Sequence, residues 1–298
     1  MACLLQTGSA VAAPGNSEAA APLGRLVSVG AHRLHLYCSG QGAPTVVLEA
    51  GIGANHLDWI RVQPEISKTT RVCSYDRAGY GWSEPGPRPR TAEQISGELS
   101  LLLRNAEIDG PIILVGHSFG GVLSLYYARR NAAQVVGLVL VDSMHPDQFD
   151  RFREAGIEVP TEPTNAAVGS SPRMLTSGIP QDYQAMAFQL ARKDSVRAVM
   201  FDELRNIRLT LAQVNEAARD APIRSEVILH GRRAWDRLYR DGRMENLWIL
   251  LQADLAKRIG ATRLVVSSRS GHQVPLEDPK LVEKLVRWVV RDVRAEGN

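Results

Sequence analysis

Eight short runs rich in β-branched and other apolar residues recur along the chain, and this recurrence limits the fold more than any other feature. They are Arg25–Val29, Arg33–Cys38, Thr45–Glu49, Arg71–Tyr75, Pro111–Val115, Val136–Val141, Glu226–Leu229 and Arg263–Ser267. Most are continuously apolar, the pattern of parallel strands covered on both faces. From the third run onward most are separated by helix-length text. Thr91 to Asn105 carries Ile95, Leu99 and Leu102–Leu103 at helical spacing. The last such segment opens with Asp278-Pro279-Lys280, an N-cap and a first-turn proline, and has an apolar face at Leu281, Leu285, Trp288 and Val289. Strand–helix alternation predicts a mostly parallel, doubly wound α/β sheet of about eight strands. The first two runs, separated by a Gly30-Ala31 turn signal, predict an antiparallel hairpin at its edge.

One gap breaks the rhythm. Between Ser143 and Arg224 no convincing strand occurs; turn-rich VPTEPTNAAVGSSP is followed by helix-like text at Tyr183–Arg192 and Val196–Ala218. A structureless loop of that length is improbable in a compact domain, so a helical insertion after the sixth strand is expected. Lying beyond a strand's C-terminal end, it would roof the edge where such sheets bind ligands. The expected organisation is an N-terminal arm at 1–23, a core of 24–142 and 225–298, and a helical cap at 143–224.

Composition narrows the function classes. A chain of 298 residues, 44% hydrophobic and 22% charged, can bury a full core. Its formal net charge of +3 is too mild to suggest nucleic-acid binding. Arg232, Arg233, Arg237, Arg240 and Arg243 cluster after the seventh run, which reads as a solvated face, with a site for acidic ligands as the weaker reading. There is no apolar run of membrane-spanning length and no fixed repeat. The first 22 residues are Ala-rich; Ala10-Val11-Ala12 resembles the end of a secretory signal, but a basic start is lacking. A disordered arm or a remnant export signal is expected there, and a periplasmic or secreted location is favoured over a cytoplasmic one.

Gly116-His117-Ser118-Phe119-Gly120 matches G-x-S-x-G, with the buried-strand text IILV before it and helical text after it. On a tight strand-to-helix turn a serine projects its hydroxyl, and the following helix aims its amide-rich N-terminus at the same place. A glycine-rich packing turn is the weaker reading. Of the seven histidines, His32 and His35 fall on the edge hairpin, and the turn directs His117 away from its neighbour. His56, His145 and His230 suit loop or packing roles. His272 follows the last strand in Arg269-Ser270-Gly271-His272, where a base for Ser118 is expected.

GHSFGG, SYDRAGYGWSEPG, LVLVDSMHPDQ and SGHQVPLEDP together resemble the α/β-hydrolases, in the serine-nucleophile, capped, esterase-like branch. The resemblance runs from about Leu26 to the C-terminal helix and is weakest in the insertion. It implies the α/β-hydrolase fold and a Ser–His–acid triad that transfers an acyl group to water, with Ser118 as nucleophile and His272 as base. It implies an oxyanion hole from the backbone N–H of Phe119 and that of Ile52, although Ala50 stands where the family has histidine. Gly51-Ile52-Gly53 is no dinucleotide signature, because His56 occupies the place of the third glycine.

The family's commonest acid position, after the seventh strand, is Ala234 in this chain, with Asp236 two residues later. The family's other position is the end of the sixth strand, where Val139-Leu140-Val141 leads to Asp142 and Pro146 follows. Asp142 is preferred, with Asp236 in reserve. The family's strand order makes the second and fourth runs neighbours, so Cys38 and Cys73 could bridge or remain two buried thiols. The expected activity is hydrolysis of carboxylic esters with an apolar acyl or alcohol part, using neither cofactor nor metal. Amidase, lactonase, perhydrolase and carbon–carbon hydrolase activities stay open, as does a non-catalytic member that only binds a small molecule.

Overall fold

The computed structural model describes residues 23–159, 177–217, 223–235 and 240–296. Its centre is an eight-stranded sheet in the order β1-β2-β4-β3-β5-β6-β7-β8. The strands are β1 (Arg25–Ser28), β2 (Arg33–Ser39), β3 (Thr45–Glu49), β4 (Val72–Tyr75), β5 (Ile112–His117), β6 (Val135–Val141), β7 (Arg224–His230) and β8 (Arg263–Ser267). The β1–β2 hairpin and the β2–β4 pair are antiparallel, and every other pairing is parallel. In the β2–β4 register Cys38 faces Cys73, and the two form a disulfide.

Ten helices are described: α1 (Gln63–Ile66), α2 (Ala92–Asn105), α3 (Phe119–Arg130), α4 (Gln148–Glu154), α5 (Gln181–Ala191), α6 (Asp194–Arg205), α7 (Ile207–Glu216), α8 (Arg243–Arg258), α9 (Val274–Glu277) and α10 (Pro279–Glu296). Strand periodicity divides the core in two. Val47, Leu114, Leu138, Leu140, Val227 and Leu229 face α2, α3 and α8. Val46, Leu48, Ile113, Val115, Val139 and Ile228 face α1 and α10. A sheet covered on both faces needs apolar residues at consecutive positions, which is why these strands read as unbroken apolar runs.

Two local readings shift. The face of α10 is rotated, burying Val282, Leu285, Val286, Val289 and Val290, while Leu281 and Trp288 are half-buried and the Arg263 and Lys284 cations lie over the Trp288 ring. The run expected at Val196–Ala218, whose last residue lies outside the described residues, is two helices, α6 and α7, broken at Asn206, whose side-chain amide donates to the Asp202 carbonyl at 2.8 Å. Within the described residues of 143–224, α7 packs on α2 and α3, whereas α6 lies against the loops after β3 and β4. Among the described residues no helix is long and apolar enough to cross a membrane.

Candidate active site

The C-terminal edge of the parallel strands carries the candidate site. Ser118 joins β5 to α3 with φ of 55°, a conformation costly for any residue with a Cβ. Neighbouring chain holds it there: its N–H donates to the Val141 carbonyl at 3.1 Å, and its own carbonyl accepts from Gly121 and Met144. The turn is closely packed, since a Cβ on Gly120 would stand 2.4 Å from the Glu49 carbonyl oxygen. Phe119 begins α3, so its N–H has no partner one turn back within the helix.

His272 lies on the loop between β8 and α9, and that loop is tied at several points. Ser270 accepts the N–H groups of Gly231 and Arg232 through its carbonyl, and Gly271 donates to Glu277 at 2.8 Å. Nε2 of His117 donates to the His272 carbonyl at 2.8 Å. Burial, and then the neighbouring His272, pulls the His117 imidazole down to about 3, so it is neutral near pH 7. The His117 ring sits 4.9 Å from the His272 ring.

Nε2 of His272 lies 3.0 Å from Ser118 Oγ, and Nδ1 lies 2.6 Å from Asp142 Oδ2. A carboxylate only accepts, so Nδ1 carries the proton toward Asp142 and Nε2 presents its lone pair to the serine hydroxyl. Asp142, at the end of β6, is fully buried while His272 keeps 22% of its side chain exposed. Its N–H donates to Ile228 at 2.7 Å, which fixes its approach to β7. The carboxylate accepts four N–H groups: the His230 amide (3.2 Å) and Trp248 Nε1 (3.0 Å) on Oδ1, and His230 Nδ1 (2.7 Å) and His272 Nδ1 on Oδ2. Burial alone would raise this carboxyl; the His230 and His272 hydrogen bonds outweigh it and hold Asp142 well below the usual carboxylate range.

The structure thus brings Ser118, His272 and Asp142 together, while Asp236 lies outside the described residues. Ala234, in the family's commoner acid position, donates its N–H to Glu245 instead. His230 is a partner of Asp142 rather than a packing residue. Only the β6–β7 register brings it there, so no local signal reveals it.

The loop after β3 runs beside Ser118: a Cβ on Gly51 would lie 3.3 Å from Ser118 Cβ. Arg77, buried behind the loop, donates to the carbonyls of Ala50 (2.5 Å) and Gly51 (2.9 Å). Because a trans peptide directs C=O and N–H oppositely, fixing the Gly51 carbonyl also fixes the Ile52 N–H, aimed away from Arg77. Glu49 (2.8 Å) and Glu203 of α6 (2.8 and 3.1 Å) hold the guanidinium, and Tyr80 donates to Glu203 at 2.7 Å. The pairing of Arg77 with a residue 126 positions away was not visible in the sequence.

Among the described residues, two trios carry atoms of metal-ligand type: Asp142, His230 and His272, and a buried set of His35, His56 and Asp76. In each, the aspartate lies at hydrogen-bonding distance from its histidines, the arrangement of an acid–base cluster.

Known proteins share this architecture. A family model described as "Alpha/beta hydrolase family" matches residues 46–285. The chain is 30% identical over 286 residues to a 2-hydroxy-6-oxo-2,4-heptadienoate hydrolase of Pseudomonas putida, covering 89% of this chain and 95% of that protein. It is 26% identical to "Probable transporter efuK" of Hormonema carpetanum over 91% of this chain, but spans only 43% of that protein's length. Among solved structures, a putative lipase from Acinetobacter baumannii superposes with a TM-score of 0.67 at 18% identity, covering 91% of this chain and 92% of the other. An enol-lactonase from Burkholderia xenovorans gives 0.65 at 21% identity, covering 90% and 100%. The matched model spans most of the chain, from β3 into α10, and the chain belongs to the alpha/beta hydrolase family.

Proposed function

We propose that the chain is a serine hydrolase that cleaves carboxylic esters through an acyl-enzyme, with Ser118 as nucleophile, His272 as base and Asp142 as the orienting acid. The observation that carries this reading is the unbroken line from Asp142 Oδ2 through His272 to Ser118 Oγ, at 2.6 and 3.0 Å. Ser118 Oγ attacks the ester carbonyl carbon as its proton passes to His272 Nε2. The tetrahedral intermediate then expels the alcohol, which takes that proton. Water, deprotonated by the same nitrogen, attacks the acyl-enzyme and releases the acid and Ser118. The N–H groups of Phe119 and Ile52 receive the negative oxygen, a role supported by the start of α3 and by the Arg77 clamp on Gly51. Residues 143–224 act as the cap that selects a small substrate with an apolar acyl or alcohol part. The position of α6 against the loops after β3 and β4 supports that role.

A second reading, carbon–carbon bond hydrolysis, is favoured by the match to the Pseudomonas putida heptadienoate hydrolase, which covers nearly all of both proteins. Both readings use the same serine. A fluorophosphonate probe should label the wild type, p-nitrophenyl esters should turn over, and Ser118→Ala should lose both. Labelling with turnover of 2-hydroxy-6-oxo-2,4-heptadienoate but of no ester would replace the first reading by the second. Labelling and turnover that persist in Ser118→Ala would refute both.

A further inference from the structure

Asp142 has a second histidine at its back. His230 Nδ1 lies 2.7 Å from Asp142 Oδ2, and His230 Nε2 lies 2.7 Å from Glu245 Oε1 on α8. Glu245 uses its other oxygen to accept the N–H groups of Ala234 and Trp235 at 3.0 and 3.4 Å. A neutral imidazole has one N–H, yet this ring faces an acceptor from each nitrogen. Asp142 already takes three other donors, one of them on the oxygen that His230 faces, and Glu245 accepts two N–H groups on its other oxygen, contacts that favour the ionised form of each carboxylate. The proton that closes the second contact therefore belongs on the ring.

The geometry points to Glu245 and His230 as positioning residues: Glu245 keeps His230 as a buried imidazolium, and that cation half-neutralises Asp142, so that Asp142 orients His272 without making it as basic as an unscreened carboxylate would. The inference rests on the serine-hydrolase reading for its kinetic consequence but not for the charge state of His230. The surroundings support it. Burial disfavours a charged His230, but hydrogen bonds and charge from Asp142, and then from Glu245, outweigh this and raise its proton affinity. Trp248 and Trp235 cover the ring at centroid distances of 6.4 and 6.2 Å, and Ser267 of β8 is its register partner. Among the described residues, the other ionisable groups around it are His272, across Asp142, and Arg233 and Asp241, at a surface pocket of about 540 Å³ that His230 and Glu245 also line.

The cation at His230 opposes the positive charge His272 gains in the reaction. Removing that cation leaves Asp142 unscreened and His272 holding its proton more firmly, so the free base appears only at higher pH. Glu245→Gln is isosteric and removes the second acceptor charge; His230→Asn keeps a neutral donor toward Asp142. We expect His230→Asn to move the acidic limb of the kcat/KM profile upward by about one pH unit, a tenfold change in a protonation equilibrium, and Glu245→Gln, which removes a more distant negative charge along with the cation, to move it the same way by less. The alkaline plateau should stay within about tenfold of wild type. The double variant should shift no further than His230→Asn alone, because once the cation is gone Glu245→Gln removes only a negative charge.

The direct test is nitrogen-15 NMR of the full chain's imidazoles, with His230 assigned by its loss in His230→Asn. The account expects both His230 nitrogens protonated at pH 7 in the wild type and one bare nitrogen in Glu245→Gln. A bare nitrogen in the wild type overturns it, as does an unmoved acidic limb in a folded, active Glu245→Gln; if that variant does not fold, His230→Asn carries the kinetic arm. A wild type that turns over no acyl substrate defeats the serine-hydrolase reading, and the spectrum still decides the charge of His230.

Discussion

Two clusters in this molecule have the same composition and opposite characters. Asp142 stands between His230 and His272, and Asp76 stands between His35 and His56; both aspartates are fully buried. Both carboxyls are raised by burial and then brought well below the usual range by their histidines. The Asp76 carboxylate also accepts the backbone N–H groups of His56 (2.8 Å) and Trp82 (2.9 Å), fastening the loop after β4 to the turn after β3. His35 and His56 are no more than 2% exposed, and His56 Nε2 is buried with no hydrogen bond among the described residues. In the Asp142 cluster the outer histidine is partly open, and its far nitrogen reaches a strained serine. The difference teaches that an aspartate between histidines is not by itself a catalytic signature. What matters is where the last lone pair points, at a nucleophile near solvent or into a sealed interior.

The largest expected effect separates the two aspartates. Asp142→Asn should lower kcat about 10⁴-fold, because the amide favours the wrong imidazole tautomer. Asp76→Asn should instead destabilise the fold by roughly 3–5 kcal/mol, the cost of breaking a buried ionic cluster, with kcat of the folded fraction within about tenfold of wild type. Denaturant melts paired with kinetics on both variants check this, and a catalytic collapse in folded Asp76→Asn would break the comparison. Next in size, replacing Cys38 and Cys73 together by serine should cost about 2–4 kcal/mol of stability, given the separation of 35 residues, and leave kcat nearly unchanged. That would mark the β2–β4 side as structural.

The smallest effect concerns acid. Unfolded, His117 binds a proton near 6.5, whereas folded it does so only near 3, so the unfolded chain holds more protons between these values. Stability should therefore fall by up to about 1.4 kcal/mol per pH unit as pH drops through this window. The depressed carboxyls of Asp142 and Asp76 add to the loss only below about pH 4, their usual range. Denaturant melts of His117→Asn between pH 6.5 and 4.5 should show a shallower slope than wild type, the remainder coming from groups such as His145, which burial also depresses; an unchanged slope would show that the His117 imidazole is not responsible.

Much of this was legible in the sequence, and the limits were physical. Strand text before Ser118 and helical text after it identified the elbow, because a two-sided parallel sheet forces unbroken apolar runs. His272 followed from its place after the last strand. The preference for Asp142 over Asp236 rests on the family's pattern and not on local text, since nearness to His272 depends on which strands become neighbours. The same holds for His230, which meets Asp142 across 88 residues, and for Arg77 with Glu203. The break at Asn206 was hidden because apolar periodicity continues through it while one backbone turn does not.

The central claim is that Ser118, activated through His272 and Asp142, becomes acylated. Acid-quenched mass spectrometry of the chain after brief exposure to p-nitrophenyl acetate tests it most directly. The account predicts a transient acetyl group on the peptide containing Ser118, lost on further incubation and persisting longer in Asp142→Asn. Release of p-nitrophenol with no adduct on that peptide, or with the acetyl group on another residue, would contradict it.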